Sequence, residues 1–196
     1  MKYLLNVILL GILAFAVVGC SDDDNPTAPG GSQDDGTIVR FEGDFAADHW
    51  ASSGIEDGTT AIEPESGAAD SLVFTYAVSL GGGGVTGRTT DFTMTAPANG
   101  VVTLEWRYHG FHAWYQAYVG GELWADTPSG TAEMPLVDES VYGPFTFTGT
   151  AVITVFEGMD YGFELGGGNY DSDSRLLGDL TITDFRFVPA DPPSGG

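Results

Sequence analysis

The sequence predicts an all-β protein, a two-sheet antiparallel β-sandwich of jelly-roll-like form. Its 196 residues include 29 glycines, and turn-forming residues separate many short segments in which apolar and polar residues alternate. No segment has the sustained helical spacing of apolar residues that would indicate a helical domain. A content of 42% hydrophobic and 12% aromatic residues is sufficient for a packed core and excludes a disordered chain.

The alternating segments give the predicted order of strands. The chain opens on a strand at 37–43, and a polar stretch without a period follows at 52–70. The glycine run at 81–84 and the segment Ala96–Gly100 are predicted turns. The remaining strands are predicted at Leu72–Leu80, at Thr89–Thr95, twice within Val101–Trp124, and at Phe145–Thr148, Ala151–Phe156, Tyr161–Leu165 and Leu180–Val188.

The first twenty residues predict an export signal that precedes the fold. Lys2 is followed by an apolar run through Val18, too short for a comfortable membrane span, and the run ends in Gly19-Cys20. This ending resembles a bacterial lipobox, which implies that residues 1–19 are a lipoprotein signal peptide and that Cys20 carries acyl chains. The alternative is an ordinary signal peptide or transmembrane anchor with an incidental cysteine.

The other boundaries follow from changes in composition. Residues 20–36 are predicted to be the lipidated cysteine with a flexible acidic linker, 37–190 the β-sandwich domain, and 191–196 a disordered tail. The acidic run Ser21–Asn25 resembles the surface-export signal of Bacteroidetes lipoproteins; a solvated linker is the alternative. The expected location is the bacterial cell envelope, with a lipid anchor in the outer membrane and a domain on its periplasmic or its outer face.

The charge balance narrows the choice of partners. The formal net charge is -22, from 28 acidic and 6 basic residues. Such a surface repels nucleic acid and anionic lipid headgroups, so neither is an expected partner, whereas calcium or a salty medium suits it. Cys20 is the only cysteine, which excludes an intramolecular disulfide and a cysteine-based metal site.

Four motifs resemble a family of secreted bacterial β-sandwich modules that carry interchangeable anchors, such as PEP-CTERM tails. The motifs are Phe41–Trp50 (FEGDFAADHW), Gly100–Tyr108 (GVVTLEWRY), Gly158–Phe163 (GMDYGF) and Leu180–Phe185 (LTITDF). The resemblance runs through most of 40–187 and implies a sandwich fold and an exported location. It implies no activity, because the family has no settled one. This chain departs from the pattern by carrying a lipobox in place of a C-terminal anchor.

Two places are predicted for a calcium ion. The opening and closing strands are more distantly similar to those of jelly-roll carbohydrate-binding modules, where the two strands are adjacent and often share a structural calcium. That similarity implies Glu42 and Asp184 as ligands. The second place is the loop 169–173, where Asp171 and Asp173 can contribute alternate oxygens to an ion. A merely solvated acidic turn is the alternative.

The stretch Val101–Trp124 holds three of the four tryptophans and is the best candidate for a binding surface. We predict a two-residue hairpin turn at Gly110-Phe111, because the resulting pairing puts Trp106 and Tyr115 on one apolar, core-facing side. Cross-strand partners share a side of the sheet. The outward side is then formed by Glu105, Arg107, His109, His112, Trp114, Gln116 and Tyr118.

The outward side has the chemistry of a sugar-binding surface. The rings of Trp114 and Tyr118 can stack on pyranose faces. Planar polar groups that can pair with hydroxyls come from Glu105, Arg107, Gln116 and His112. One alternative is that the aromatic side chains pack under a loop, with Arg107 stacked on Trp114. Another is a longer loop, which shifts the register by one residue and turns Trp114 inward.

The predicted function is a surface or outer-membrane lipoprotein that acts as a binding or adhesion module, with a glycan as the favoured ligand. His109 and His112 face each other in the predicted pairing and can share a metal ion, although surface histidines beside a turn are commoner. No nucleophile elbow, zinc-protease helix or phosphate loop is present, so no catalytic residue is assigned and no enzyme is expected. The alternatives are a structural envelope lipoprotein that pairs with a partner protein and, third, a small hydrolase.

Overall fold

The computed structural model describes residues 36–80, 87–169 and 174–190, and it describes the backbone alone for Leu80, 114–116 and Ser174. Two short 3-10 turns, Gly43–Phe45 and Ala47–His49, come first. Eight strands follow within the described residues: β1 Ala51–Ser52, β2 Gly58–Glu63, β3 Leu72–Leu80, β4 Arg88–Thr95, β5 Gly100–Thr127, β6 Gly130–Val155, β7 Asp160–Gly168 and β8 Ser174–Pro189.

Several sequence predictions fall outside the described residues. They concern the signal peptide, the lipidated Cys20 with its linker, the tail at 191–196, and two of the predicted calcium ligands, Asp171 and Asp173. Within 36–80, 87–169 and 174–190, no helix is long and apolar enough to cross a membrane.

The strands are antiparallel and form two sheets that share one long hairpin. β5 and β6 pair from Gly100 to Thr127, and the turn between them lies at Pro128-Ser129. The first sheet has the order β2-β3-β8-β5-β6 and uses residues 100–112 of β5. The second sheet has the order β1-β4-β7-β5-β6 and uses residues 118–125 of β5. The predicted two-sheet antiparallel β-sandwich is therefore confirmed.

The hairpin passes from one sheet to the other at an irregular corner. Between His112 and Ala117, β5 has four residues where β6 has only Tyr142. Inserted residues of this kind bend a strand and change which side chains point inward. Buried positions are accordingly even-numbered from Val102 to His112 and odd-numbered from Ala117 to Ala125.

The predicted two-residue turn at Gly110-Phe111 is wrong. Both residues lie inside β5, where Gly110 pairs with Gly178 of β8 and with Phe145 of β6. A Cβ atom at Gly110 would overlap the carbonyl oxygen of Leu177. This glycine therefore allows a close approach of β8 to β5 and forms no turn.

Aromatic side chains fill the space between the two sheets. The ring of Phe74 on β3 lies 5.0 Å from that of Phe92 on β4 and 5.4 Å from that of Phe163 on β7, measured between centroids. Trp50, which follows the second 3-10 turn, packs on Phe74 at 4.9 Å and stacks on Phe163 at 5.9 Å. Replacing such a buried ring by alanine costs about 3–5 kcal/mol.

The ends of the domain are adjacent, as predicted, but the opening segment is not a continuous strand. Ile38 forms an isolated bridge with Phe187 of β8, and Phe41 forms another with Ala69. The strand Gly58–Glu63 lies in the stretch where none was predicted. It pairs with β3 at the edge of the sheet and is mostly exposed, so it lacks the alternation that marks a half-buried strand.

Candidate functional site

An open groove of 160 Å³ lies on the outer face of the second sheet. Its floor is a row of residues paired across four strands, Asp138 of β6, Gly120 of β5, Gly166 of β7 and Thr89 of β4. Neighbouring strands lie about 4.8 Å apart, so the row is about 14 Å long. We call this depression the second-sheet groove.

Acidic side chains form one side of the groove. The next row along the strands pairs Pro135 with Glu122, Glu122 with Glu164, and Glu164 with Asp91. Burial raises the pKa of Glu122, and the carboxylates of Glu133 and Glu164 raise it further. Burial also raises the pKa of Glu164, with added repulsion from Asp91 and Glu133. Burial is therefore the main reason that both pKa values are raised, and the neighbouring carboxylates add to it.

Tyr118 forms the opposite side of the groove. It pairs with Gly168 on β7 and Ser140 on β6, and 45% of its surface is exposed. Its ring lies over Gly120, where an added Cβ would be 3.1 Å from the hydroxyl oxygen and 3.3 Å from the ring. Burial raises the pKa of Tyr118, as do the charge of Asp138 and the hydrogen bond between the two side chains. The ring is therefore held across the groove floor by contacts at both its edge and its hydroxyl.

The middle of the groove floor, at Gly120 and Gly166, carries no side chain, and close contacts require glycine on β7. A Cβ at Gly166 would overlap the carbonyl oxygen of Arg88, and a Cβ at Gly167 would overlap that of Tyr118. Both glycines also have φ of +153°, a conformation that other residues rarely adopt. The flatness of the floor is consequently a requirement of how β7 fits between β4 and β5.

Two further aromatic residues share the outer face with Tyr118. Alternation along β5 places Trp124 on this face, half-buried and opposite Glu133. Tyr142 of β6 is 73% exposed and lies two residues beyond Ser140, on the same side as Tyr118. Aromatic surface is thus available on both sides of the row that forms the floor, Trp124 beyond the acidic row and Tyr142 beyond Tyr118.

A buried chain of polar groups lies directly beneath the groove. The hydroxyl of Tyr76 is 2.6 Å from that of Tyr108 and 2.7 Å from Nε2 of His112. Nδ1 of His112 is 2.7 Å from the carbonyl oxygen of Tyr118. Burial lowers the pKa of His112 to about 4, against the opposing effect of the Tyr118 carbonyl, so the ring is neutral near pH 7. The chain links the first sheet, through Tyr76 on β3, to the floor of the groove.

The structure corrects the predicted position of His112. It is fully buried instead of facing outward, because the change of inward-pointing positions occurs at the corner after His112 and not at Gly110. The predicted facing arrangement of His109 and His112, in which they could have shared a metal ion, does not form, since the two lie three residues apart on one continuous strand. His109 instead places Nε2 3.6 Å from Oδ2 of Asp179.

The remaining predicted ligand-binding residues do not lie together. Tyr118 is exposed at the second-sheet groove, as predicted. Glu105 and Arg107 are exposed on the outer face of the first sheet, where Arg107 lies between Thr148 and Thr181. Glu105 and Arg107 lie in the part of β5 that pairs with β8, and Tyr118 lies in the part that pairs with β7. The three side chains therefore do not form one binding surface. The side chains predicted for Trp114 and Gln116 fall outside the described residues; their backbone lies in the corner next to Tyr118.

Of the predicted calcium ligands, the structure describes Glu42, near the start of the domain sequence, and Asp184, near its end. Oε2 of Glu42 accepts a hydrogen bond of 2.6 Å from Nε of Arg40. Asp184 is exposed and has a positive φ of 47°. In the part of the chain that the structure describes, no group of three or more His, Cys, Asp or Glu side chains is placed to hold a metal ion. Calcium at Glu42 and Asp184 stays a prediction.

The sequence contained a signal for the groove that the hairpin prediction concealed. Residues Tyr118, Gly120, Glu122 and Trp124 alternate with buried ones, and so does Glu164 in β7. Reading this alternation as one outward face would have found the β5 part of the groove. The contributions of β4 and β6 depend on pairing between distant segments, which the alternation within one strand does not specify.

The fold and the groove define an all-β sandwich with an open, acidic and partly aromatic surface on one sheet. No protein-family model matches the chain, and no curated protein matches it. Solved structures that are similar to it include one from a study of carbohydrate-binding modules of the β-sandwich superfamily (12% identity, TM-score 0.40), over 78% of this chain and 62% of that one.

Two other similar structures differ widely in origin. One is the infectious bursal disease virus Gx strain (10% identity, TM-score 0.42), with 68% of this chain and 37% of that chain covered. The other is the K3 cleaved adhesin domain of Lys-gingipain from Porphyromonas gingivalis (13% identity, TM-score 0.38), with 78% and 97% covered. The chain spans less than two thirds of the carbohydrate-binding and viral chains. These likenesses concern the β-sandwich alone.

Proposed function

We propose that the second-sheet groove binds a glycan and that the protein is a non-catalytic binding or adhesion module. The observation that carries this proposal is the exposed ring of Tyr118, which lies over Gly120 and beside Gly166, where the floor carries no side chain. Because no side chain projects from the floor at Gly166, a pyranose ring can lie flat there against the neighbouring aromatic face, where its C–H groups meet the π-electrons.

The polar residues around the floor supply the partners that sugar hydroxyls need. Asp138 offers carboxylate oxygens at one end of the floor and Thr89 offers a hydroxyl at the other, while Glu164 offers a carboxylate along one side. A carboxylate accepts up to four hydrogen bonds and an adjacent pair of hydroxyls can donate two of them. The row of about 14 Å is longer than one pyranose ring, which favours a short oligosaccharide over a monosaccharide.

The charge of the groove favours a neutral glycan over an anionic one. Glu122, Asp138 and Glu164 line it, and none of the described lining residues is Lys, Arg or His. Two like charges 4 Å apart repel by about 1 kcal/mol in water and by about 4 kcal/mol near a protein surface. Uronate and sulfated sugars therefore meet repulsion that a neutral sugar of the same shape avoids.

Replacement of Tyr118 tests the proposal most simply. After a glycan array has identified a bound neutral oligosaccharide, Tyr118→Ala should weaken its affinity at least about tenfold, the equivalent of 1.4 kcal/mol. Isothermal titration calorimetry on the full chain measures this. Val152→Ala is the matched control, because Val152 is similarly exposed, at 49%, but lies on β6 beside the first sheet.

Three results would count against the glycan site. They are a wild-type protein that binds no glycan on the array, a Tyr118→Ala variant that retains full affinity, and a control variant that loses as much affinity as Tyr118→Ala. In addition, a uronate-containing oligosaccharide that binds more tightly than its neutral counterpart would contradict the charge argument.

A partner protein is the second candidate ligand, favoured by the edge of β6. Within the described residues, β6 pairs with β5 alone, so one long side of a 26-residue strand is open to a further strand. A single stoichiometric protein recovered from envelope extracts, together with no glycan binding, would favour this function.

We also propose that the chain is lipidated at Cys20 and anchored in the bacterial outer membrane. The support is the sequence pattern that ends in Gly19-Cys20. Cys20→Ala should move the protein from the membrane fraction to the soluble fraction. Continued retention in the membrane fraction would refute the anchor.

A further inference from the structure

The buried chain of polar groups has one set of donors and acceptors that satisfies every member. A backbone carbonyl only accepts, so Nδ1 of His112 carries the proton and donates to the oxygen of Tyr118 at 2.7 Å. In the neutral ring Nε2 then accepts, so the Tyr76 hydroxyl donates to it at 2.7 Å. The Tyr76 oxygen accepts from the Tyr108 hydroxyl at 2.6 Å, and Tyr108 accepts from the backbone N–H of Gly166.

Both ends of this chain are parts of the second-sheet groove. Tyr118 carries the exposed ring, and Gly166 belongs to the floor. The imidazole also lies immediately below Gly167, where an added Cβ would be only 2.7 Å from Cε1 of His112. His112 itself is fully buried and reaches no ligand. Any effect that it has on binding must therefore act through the groove residues that it contacts.

The hydrogen bond from His112 matters because of where Tyr118 lies. Tyr118 follows the irregular corner at 113–116, where the regular pairing of β5 with β6 is interrupted. On the β7 side its register partner is Gly168, the last residue of that strand. The imidazole supplies a fixed donor from the core to the Tyr118 backbone at this interruption, which limits where the ring can sit.

We infer that His112 is a positioning residue for the glycan site, which holds the Tyr118 backbone so that its ring lies across the groove floor. This inference rests on the proposed glycan function. It goes beyond that function by assigning a role in binding to a buried residue on the other side of the floor. Packing alone would be served by an apolar ring, whereas a directed Nδ1–H donor is needed to fix the carbonyl of Tyr118.

Three variants of the full chain separate positioning from stability. His112→Phe keeps a ring but removes the donor to Tyr118. His112→Asn keeps an N–H close to the position of Nδ1 and removes the acceptor at Nε2. Tyr76→Phe leaves the hydrogen bond from His112 to Tyr118 intact and removes the two hydrogen bonds of the Tyr76 hydroxyl, to Tyr108 and to His112.

The expected result is a division between affinity and stability. All three variants should lower the melting temperature, since each breaks buried hydrogen bonds. His112→Phe alone should weaken the affinity for the neutral oligosaccharide, by about tenfold, while His112→Asn and Tyr76→Phe stay within about twofold of wild type. Affinity is measured by calorimetry at a temperature where circular dichroism shows every variant folded.

A second readout keeps the inference distinct from the proposed function. The carbonyl carbon-13 NMR shift of Tyr118 reports its hydrogen bond without any ligand, and it should move in His112→Phe but not in Tyr76→Phe. Equal affinity of His112→Phe and His112→Asn, or an equal loss in Tyr76→Phe, would overturn the positioning role while the glycan function stands. Wild-type protein that binds no glycan would refute the glycan function, and the positioning role with it.

Discussion

The imidazole of His112 is held between the two sheets by one hydrogen bond at each nitrogen. Burial is the main cause of its lowered pKa, because charging the ring without water is costly. Protonation would also turn Nε2 into a donor that faces the Tyr76 hydroxyl, which then has to reverse its own proton. Tyr76 has a raised pKa for the same reason of burial, so it stays neutral at any pH where His112 titrates.

The buried, neutral His112 ring predicts that part of the pH dependence of stability comes from this one residue. The folded pKa of about 4 lies below the ordinary value of 6.5, so the unfolded chain binds more protons between these pH values. The contribution of His112 is complete above about pH 6.5 and declines by about 3 kcal/mol as the pH falls towards 4. Urea unfolding from pH 7 to pH 4.5 should show a shallower loss of unfolding free energy in His112→Asn than in wild type. Parallel pH profiles would contradict this assignment, since the carboxylates are common to both proteins.

Gly167 offers a test of the same contact from the other side. Gly167→Ala puts a methyl group against the Tyr118 carbonyl and the His112 ring. We expect it to lose about 1–3 kcal/mol more unfolding free energy than Gly130→Ala, measured by urea titration. Gly130 is a fitting control because its φ is also positive, at 130°, while a Cβ there would meet open space. Equal losses in the two variants would show that backbone conformation, and not the close contact, requires the glycine at 167.

β5 is the element that connects these residues, because it belongs to both sheets. Its outward positions in the second sheet bring Glu122 opposite Glu164, and like charges directly opposite each other destabilise a sheet. Retaining that cost is consistent with a role for the carboxylates in binding.

Neutralising the pair should therefore stabilise the protein and change its selectivity. Glu122→Gln with Glu164→Gln should raise the unfolding free energy at pH 7 by about 0.2–1 kcal/mol and narrow the preference for neutral over anionic oligosaccharides. The matched control is Glu105→Gln with Glu157→Gln, which changes the net charge equally at exposed positions outside the groove. Should the control variant show the same gain and the same change in preference, net charge and not the acidic row would be the cause.

How far the sequence predicts β5 depends on the kind of information involved. Alternation identifies the inward Trp106 and Tyr108, which agree with the structure. Tyr118 is exposed as predicted, although the hairpin turn from which its position was predicted does not form. Gly110 was wrongly predicted to form a turn because glycine occurs both in turns and where two strands approach closely. The three extra residues of β5 at the corner have no such signature, so the position of His112 could not be predicted from the sequence. The same limit applies to the pairing of β7 between β4 and β5, which brings Glu164 and Gly166 into the groove.

Taken together, the two sheets present different outer faces to solvent. The first sheet shows Arg107 among threonines and Glu105, with charges of both signs. The second sheet shows a row of acidic side chains beside the Tyr118 ring and a floor that carries no side chain at Gly166. The chain as a whole carries a formal charge of -22, so long-range repulsion of anionic ligands adds to the local effect and weakens at high salt. The second sheet is accordingly the face on which we place glycan binding.

Backbone NMR shifts during titration with a neutral oligosaccharide test this placement directly. We predict that the amide signals of Thr89, Gly120, Glu122 and Gly166 move in a saturable manner, while those of Arg107, Thr148 and Thr181 stay fixed. Shifts confined to Arg107 and its neighbours on the first sheet, or no saturable shifts at any tested concentration, would contradict the assignment of the second-sheet groove as the glycan site.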